Sequence, residues 1–397
     1  MLVYAAVLMA WSSGQSLMER FSEARSCLDE MFSSRRRVGR TYQGFIKQLM
    51  LHGGVLLELV HSHLRRRMQA IAGEYWLRDG FLAFAVDGSR IEMPRTLDNE
   101  EYFECGGRYK TGPQMWLTTL WHMGTGLPWC WKIGKANEAE RNHLRDMLKL
   151  LPKKSLLIAD AGFTGYTLMT EILSAGHSFL IRVGSNVRLL KELGYAVVEN
   201  GGTVYLWPSQ AMKDSRPPLV LRMIVLQRKG KKIFLLTNVD EKKLSDRQAG
   251  VFYEMRWGVE VFYRSLKQTL GHRKMLSRAP RQTAAELAWT MVGLKVLGLM
   301  SVERIILGGK DPLSWSVAMS LQVVRSAAAE RHGGRYKDMF GALAGCVKDE
   351  YKRKGPKKAR NWPHKKRETP PGEPKIRRAN EMELAKIEEL KRKINAA

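Results

Sequence analysis

Two short apolar runs, Phe84-Ala85-Val86-Asp87 and Leu157-Ile158-Ala159-Asp160, each end in an aspartate. The carboxyl ends of strands are where α/β sheets present groups to ligands. Taken singly, an aspartate in such a place is more often a turn former or a helix cap, and a third acid nearby is needed to make a site. The helical stretch near residue 250 supplies one. Tyr253, Arg256, Glu260 and Lys267 are spaced by three, four and seven. At about 100° per residue they share one stripe within about 60° of arc. One carboxylate, two cations and a phenol are what a phosphodiester site needs, the acid to complete a metal cage and the cations to bind phosphates. A surface ladder of ion pairs is the other reading. Against it, Val259, Val261, Phe262 and Leu266 crowd the same helix, so much of its remaining surface must be buried.

The elements that would position these side chains follow from periodicity. Residues 1–78 carry apolar positions at three and four and predict a helical N-terminal region, with basic clusters at Arg35-Arg36-Arg37 and Arg65-Arg66-Arg67 that could track a DNA backbone or face solvent. From Phe81 the period changes to strands. Phe81–Val86 runs into the turn signal Asp87-Gly88-Ser89, and Met115–Met123 and Trp129–Ile133 are joined by Gly124-Thr125-Gly126. A helix over 137–151 opens with Asn137 as its cap, and a strand from Ser155 to Ala159 leads into Asp160. A helix over 164–175 and a strand over 178–183 complete a β-β-β-α-β-α-β order, which implies a mixed sheet with helices on its faces. Residues 79–184 are thus the first part of an α/β domain. Residues 185–238 read as a β-rich insertion, with strand candidates at 195–198, 203–207, 219–227 and 233–237. Residues 239–346 return to helix, and 347–397 form a basic, proline-containing tail expected to be mobile, with a short exposed helix of mixed charge over 381–393. Between Lys348 and Arg378 that tail holds 13 Lys or Arg against 4 Asp or Glu, too little apolar surface to offset its ordering entropy.

Composition narrows the partner. Lys and Arg total 66 against 39 Asp and Glu, a net charge of +27. Such a surplus points to a polyanion, since cations bound to phosphates release condensed counterions. A membrane surface or a ribosome would also satisfy it. The four cysteines form no C-x-x-C pair and no zinc pattern with the histidines, so a reducing compartment without structural zinc is expected. The apolar opening from Leu2 to Trp11 is too short to span a bilayer and reads as a buried helix.

At the level of motifs the chain resembles the bacterial insertion-sequence-four type of DDE transposase. Tyr253-x2-Arg256-x3-Glu260-x6-Lys267 matches that family's YREK signature. Asp87-Gly88-Ser89 and Asp160-Ala161-Gly162-Phe163 look like its two aspartate motifs, with Leu236-Thr237-Asn238 before the catalytic helix. The resemblance covers roughly residues 80–300. It implies a ribonuclease-H-like core, a mixed five-stranded sheet with flanking helices and a β-rich insertion before the helix that bears Glu260.

The resemblance further implies two Mg²⁺ ions, with Mn²⁺ able to substitute, held by Asp87 as bridging ligand and by Asp160 and Glu260 on one ion each. Arg256 and Lys267 would grip phosphates flanking the scissile bond, and Tyr253 would contact a phosphate or stack on a base. Members that cleave through a DNA hairpin flip a base onto a tryptophan of the insertion. Trp207 is the candidate here, with a place in the insertion's core as its other reading, and Trp257 is expected to pack. The implied partners are double-stranded DNA, both the inverted repeats at transposon ends and the target, and a second copy in a paired-end complex. No membrane is implied, and the expected location is a bacterial cytoplasm, at the nucleoid. The activity expected is cut-and-paste transposition. A catalytically silent, truncated derivative that binds DNA as a regulator is the alternative.

Overall fold

The helical periodicity of the N-terminal region resolves into three helices in a computed structural model that describes residues 1–32, 39–106, 112–228, 230–330, 338–349 and 371–395. The Arg35-Arg36-Arg37 cluster lies outside the described residues, as does most of the basic stretch after Lys348. The chain divides into two units, Met1–Pro152 with Met255–Lys348, and Lys153–Glu254 with Asp349–Ala397.

In the first unit, α1 (Leu2–Trp11) is followed by α2 (Leu17–Met31), opened by a capping box in which Ser16 and Glu19 satisfy each other's backbone amides. The 31-residue α3 (Tyr42–Ala72) starts at the Thr41 cap and stops at Gly73, whose φ of +51° a side chain would resist. β1 (Ala83–Glu92) comes next, then α4 (Leu97–Phe103), β2 (Gln114–His122), β3 (Leu127–Lys135) and α5 (Glu140–Leu148). The three strands form an antiparallel meander in which Asp87 pairs with Thr119 and Thr119 with Trp131. β1 does not end at Asp87. It continues through Gly88 and Ser89 because β2 offers a ladder partner as far as Gln114, and that long-range pairing overrides the local turn chemistry. Nor does Asn137 cap α5. Its amide donates to Glu104 at 2.8 Å, and Ala139 holds the cap position without a side-chain bond.

In the second unit, β4 (Leu156–Ala159), α6 (Tyr166–Ser174) and β5 (Ser178–Val183) make a parallel crossover. β6 (Arg188–Lys191), β7 (Thr203–Leu206), the short α7 (Ser209–Lys213), β8 (Leu219–Arg228), β9 (Lys231–Thr237) and α8 (Asp246–Met255) follow. The insertion is continuous with the sheet: β9 pairs antiparallel with β5, Leu180 opposite Thr237, and β8, β7 and β6 extend the same edge. Residues 195–198, expected as a strand, form none.

Chain returning to the first unit forms α9 (Trp257–Arg264), a π-helical turn over Ser265–Thr269, α10 (Pro280–Leu307), α11 (Val317–Glu330) and α12 (Met339–Ala344). α10 begins on a proline, where the missing N–H costs nothing. It is buried on most of its circumference, from Leu287 to Ile305. Gly293 lets it touch α1, since a Cβ there would lie 2.6 Å from that of Ala10. Two members of the Arg65-Arg66-Arg67 cluster serve this packing: Arg65 lies over the Trp129 ring and Arg67 pairs with Glu303.

The end of the tail forms the helix expected over 381–393, but it is preceded by an unexpected strand and is partly buried where an exposed helix was expected. β10 (Lys375–Arg378) adds parallel to β6, and α13 (Glu381–Asn395) follows. Ile387 and Leu390 of α13 are buried against Leu190, Leu193, Tyr205, Trp207 and Ala211, so those apolar positions stabilise what composition alone would leave loose. With β10 the second unit's sheet runs β10-β6-β7-β8-β9-β5-β4, already more strands than the five expected for the whole core. Among the described residues no helix is long and apolar enough to cross a membrane.

Candidate active site

Asp87 sits in the middle of β1, flanked by residues whose backbone is fixed by both the ladder and a helix. Tyr263 of α9 places its hydroxyl 2.8 Å from Asp87 O and 3.0 Å from Leu117 O, so one proton serves two carbonyls. Burial, with the charges of Asp87 and Glu140 added, holds this phenol well above its usual range, and it stays a donor at any physiological pH. A second seat is Gly258. A Cβ there would fall 2.2 Å from the Trp121 ring, so only glycine lets α9 lie this close to β2.

Glu260 is on α9, one turn from Arg256, whose Nη2 donates to Glu260 Oε1 at 3.1 Å. Arg256 is nearly buried, whereas Glu260 keeps part of its carboxylate open. Lys267 falls in the π-helical turn, where five residues close a hydrogen-bonded ring in place of four. The uniform α-helical angle used to place Lys267 in the stripe therefore does not hold there. Its Nζ donates to Ser89 Oγ at 2.8 Å, two residues from Asp87 on the same face of β1. Burial lowers the ammonium's pKa, with Arg273 lowering it further and Glu92 opposing.

On the other face of β1, Gly88 carries the approach of α5. A Cβ at Gly88 would be 2.7 Å from Trp116 Nε1 and 2.8 Å from the Glu140 carboxylate. The glycine of the Asp87-Gly88-Ser89 motif is thus explained by packing.

In the second unit Asp160 follows β4 and precedes a 3-10 turn over Ala161–Phe163. Its side chain is 42% exposed. Tyr253 of α8 donates from Oη to Asp160 Oδ1 at 3.1 Å, and Arg182 Nη1 lies 3.8 Å from the same oxygen. Tyr253 is buried, so its phenol serves a carboxylate and its ring is not open to stack on a base. Arg182 was missed. Its signal was a lone arginine in the apolar strand Ser178-Phe179-Leu180-Ile181-Arg182-Val183.

Both tryptophan expectations need correction or choice. Trp207 is 5% exposed, packed among Tyr205, Ile387 and Leu390, with Nε1 donating to Arg216 O at 2.8 Å, which leaves no ring face for a flipped base. Trp257, expected to pack, is 54% exposed at the start of α9, three residues before Glu260.

Among the described residues no three His, Cys, Asp or Glu side chains are close enough to hold a metal ion. The chemistry of the donors is nonetheless informative. Asp87, Asp160 and Glu260 carry carboxylate oxygens, hard ligands of the kind that Mg²⁺, Mn²⁺ and Ca²⁺ prefer.

Among curated proteins the chain is 23% identical, over 219 residues, to transposase InsG for insertion sequence element IS4 of Escherichia coli (strain K12). That likeness covers 52% of this chain and 49% of the relative, so the chain spans about half the length of the protein it resembles. Among solved structures it is similar, at 13% identity and a TM-score of 0.38, to the piggyBac transposase synaptic complex with hairpin DNA, over 68% of this chain and 58% of that one. The family model for the transposase DDE domain matches residues 79–292, more than half of the chain and all of Asp87, Asp160 and Glu260, and the protein belongs to that family, in its IS4 type.

Proposed function

We propose that this protein is a DNA endonuclease and strand transferase that cuts at transposon ends and joins the freed 3′-hydroxyls to a target. The observation that carries the reading is the Tyr263 hydroxyl on the backbone of Asp87, which ties the helix of one family acid to the strand of another. A ribonuclease-H-like arrangement is the core this implies. Asp87, Asp160 and Glu260 are the residues that would hold the divalent ions. Bound there, the ions would supply a nucleophilic oxygen at neutral pH and neutralise the leaving oxygen.

The chain's own groups do the rest. Tyr263 and Gly258 fix where α9 stands against β1 and β2. Lys267 and Arg256 present cations beside Ser89 and Glu260, where backbone phosphates would lie. In the second unit Tyr253 and Arg182 orient the Asp160 carboxylate. The surplus of +27 draws the polyanion and gives the affinity a steep salt dependence. Joining two ends calls for two copies of the chain.

The test is direct. A labelled duplex carrying the inverted repeats that flank the coding region is incubated with protein, with and without Mg²⁺, and the 3′ products are mapped. Metal-dependent nicks at the repeat boundary, lost in Glu260→Gln while DNA affinity is kept, are expected. Binding without cleavage in either Mg²⁺ or Mn²⁺ would instead assign the chain as a silent regulator.

A further inference from the structure

Between the π-helical turn that carries Lys267 and the body of α10, residues 271–281 include Arg273, Lys274, Arg278 and Arg281 and no acid. The backbone of this loop is held along its length. Glu92, at the end of β1, donates its N–H to Arg273 O at 3.2 Å and accepts from the N–H of Met275 at 2.8 Å. The Glu286 carboxylate takes the N–H groups of Leu276 and Ser277, and Thr96 Oγ1 donates to Arg278 O at 2.9 Å. His272 and Met275 are buried, whereas the four cations are exposed.

Packing does not account for these charges. Arg273 lies 3.5 Å from Glu92, but among the described residues Lys274, Arg278 and Arg281 make no ion pair. Arg278 and Arg281 flank the start of α10, whose first turn has no acid, and a cation there is opposed by the helix dipole. Cations gathered on a fixed backbone repel one another, and a polyanion relieves the repulsion without having to order the loop.

Their place along β1 says which polyanion. Asp87, then Ser89 with Lys267 bonded to it, then Glu92 with the loop follow one another along the strand. Ser89 to Glu92 covers roughly 10 Å, about three nucleotides of a DNA strand at 3.4 Å each. The loop therefore continues the line of positive charge that Lys267 begins. We propose that residues 271–281 form a backbone track for duplex DNA, on which Lys274, Arg278 and Arg281 bind neighbouring phosphates on the side of Lys267 away from Asp87. This rests on the reading that the chain acts on DNA, and it adds contacts outside the Tyr253-to-Lys267 pattern.

The test uses the full chain carrying Glu260→Gln, so that binding to the labelled repeat duplex is measured without cleavage. Lys274→Ala, Arg278→Ala and Arg281→Ala together should reduce the slope of log affinity against log salt by about three. Lys242→Ala, Lys243→Ala and Arg247→Ala remove the same charge from exposed positions of the second unit and should change the slope by less than about one. Arg278→Lys with Arg281→Lys keeps the charge and should keep the slope. Phosphate-ethylation interference should lose adjoining phosphates beside those lost in Lys267→Ala. Unchanged melting would show that the variants fold. An unchanged slope, an equal fall in both triple variants, or scattered phosphates, with the wild-type chain still cutting the duplex, would overturn the track and leave the nuclease reading intact. A wild-type chain that neither binds nor cuts the duplex would overturn both.

Discussion

The hydroxyl of Tyr253 donates to Oδ1 of Asp160 at 3.1 Å, so a residue expected to touch DNA instead holds a carboxylate in place. Arg182, 3.8 Å from the same oxygen, adds a positive charge beside the neutral phenol. Tyr253→Phe removes one hydrogen bond, worth about 1 kcal/mol. Cleavage should fall roughly 5-fold, the Mg²⁺ concentration for half-maximal rate should rise, and DNA affinity should hold. Loss of DNA affinity with an unchanged metal requirement would return Tyr253 to the DNA contacts.

Lys267→Ala should weaken DNA binding and reduce the slope of log affinity against log salt by about one. A filter-binding titration from low to moderate salt reads it. If Lys267 only braces Ser89, the affinity drops with no change in slope.

Gly258→Ala should displace α9, because the new Cβ would lie 2.2 Å from the Trp121 ring. Overpacking of this kind costs about 1–3 kcal/mol, read as a lower melting temperature together with lost cleavage. Trp121→Leu in the same chain makes room and should recover part of both. An alanine at 258 that leaves stability and activity alone would show that α9 is not seated there.

Stability should fall with acid. His122 donates from Nε2 to Trp76 O at 3.1 Å, which leaves Nδ1 to accept from Thr125. Burial, with Lys295 adding to it, pushes its pKa down to about 4 against the opposing Trp76 bond. His61 and His272 are likewise lowered to about 4, chiefly by burial. Because the unfolded imidazoles titrate near 6.5, the unfolded state binds more protons between about 6.5 and 4. The stabilisation is therefore complete above that window and lost as pH falls through it. Melting temperatures from pH 7 to 5 should decline, and His122→Gln should start lower but decline less steeply.

Much of the site could be read from residue types and spacing, for a physical reason. Leu156–Ala159 is apolar on both faces and must be a buried strand, which fixes where Asp160 emerges. The spacing of four also brings Arg256 and Glu260 into an ion pair, the reading set aside on sequence grounds. What local pattern could not give is whatever depends on distant partners. β1 runs through Asp87 only because β2 pairs with it. The π turn at Lys267 has no local marker, and Trp257 is exposed on a helix whose neighbours Val259 and Phe262 are buried. Trp207 is buried by Ile387 and Leu390, residues hidden in a segment of tail-like composition.

Each unit is built from two stretches of chain separated by a stretch of the other. Domain-by-domain folding during synthesis, the usual route for larger chains, is thereby closed to this protein. The meander of β1, β2 and β3 must leave the ribosome and wait until Pro280–Leu307 arrives to cover it, and Tyr205 waits longer still, for Ile387. Over that interval apolar surface is open to water, so yield from the cell should depend on chaperone supply more than the stability of the finished molecule would suggest.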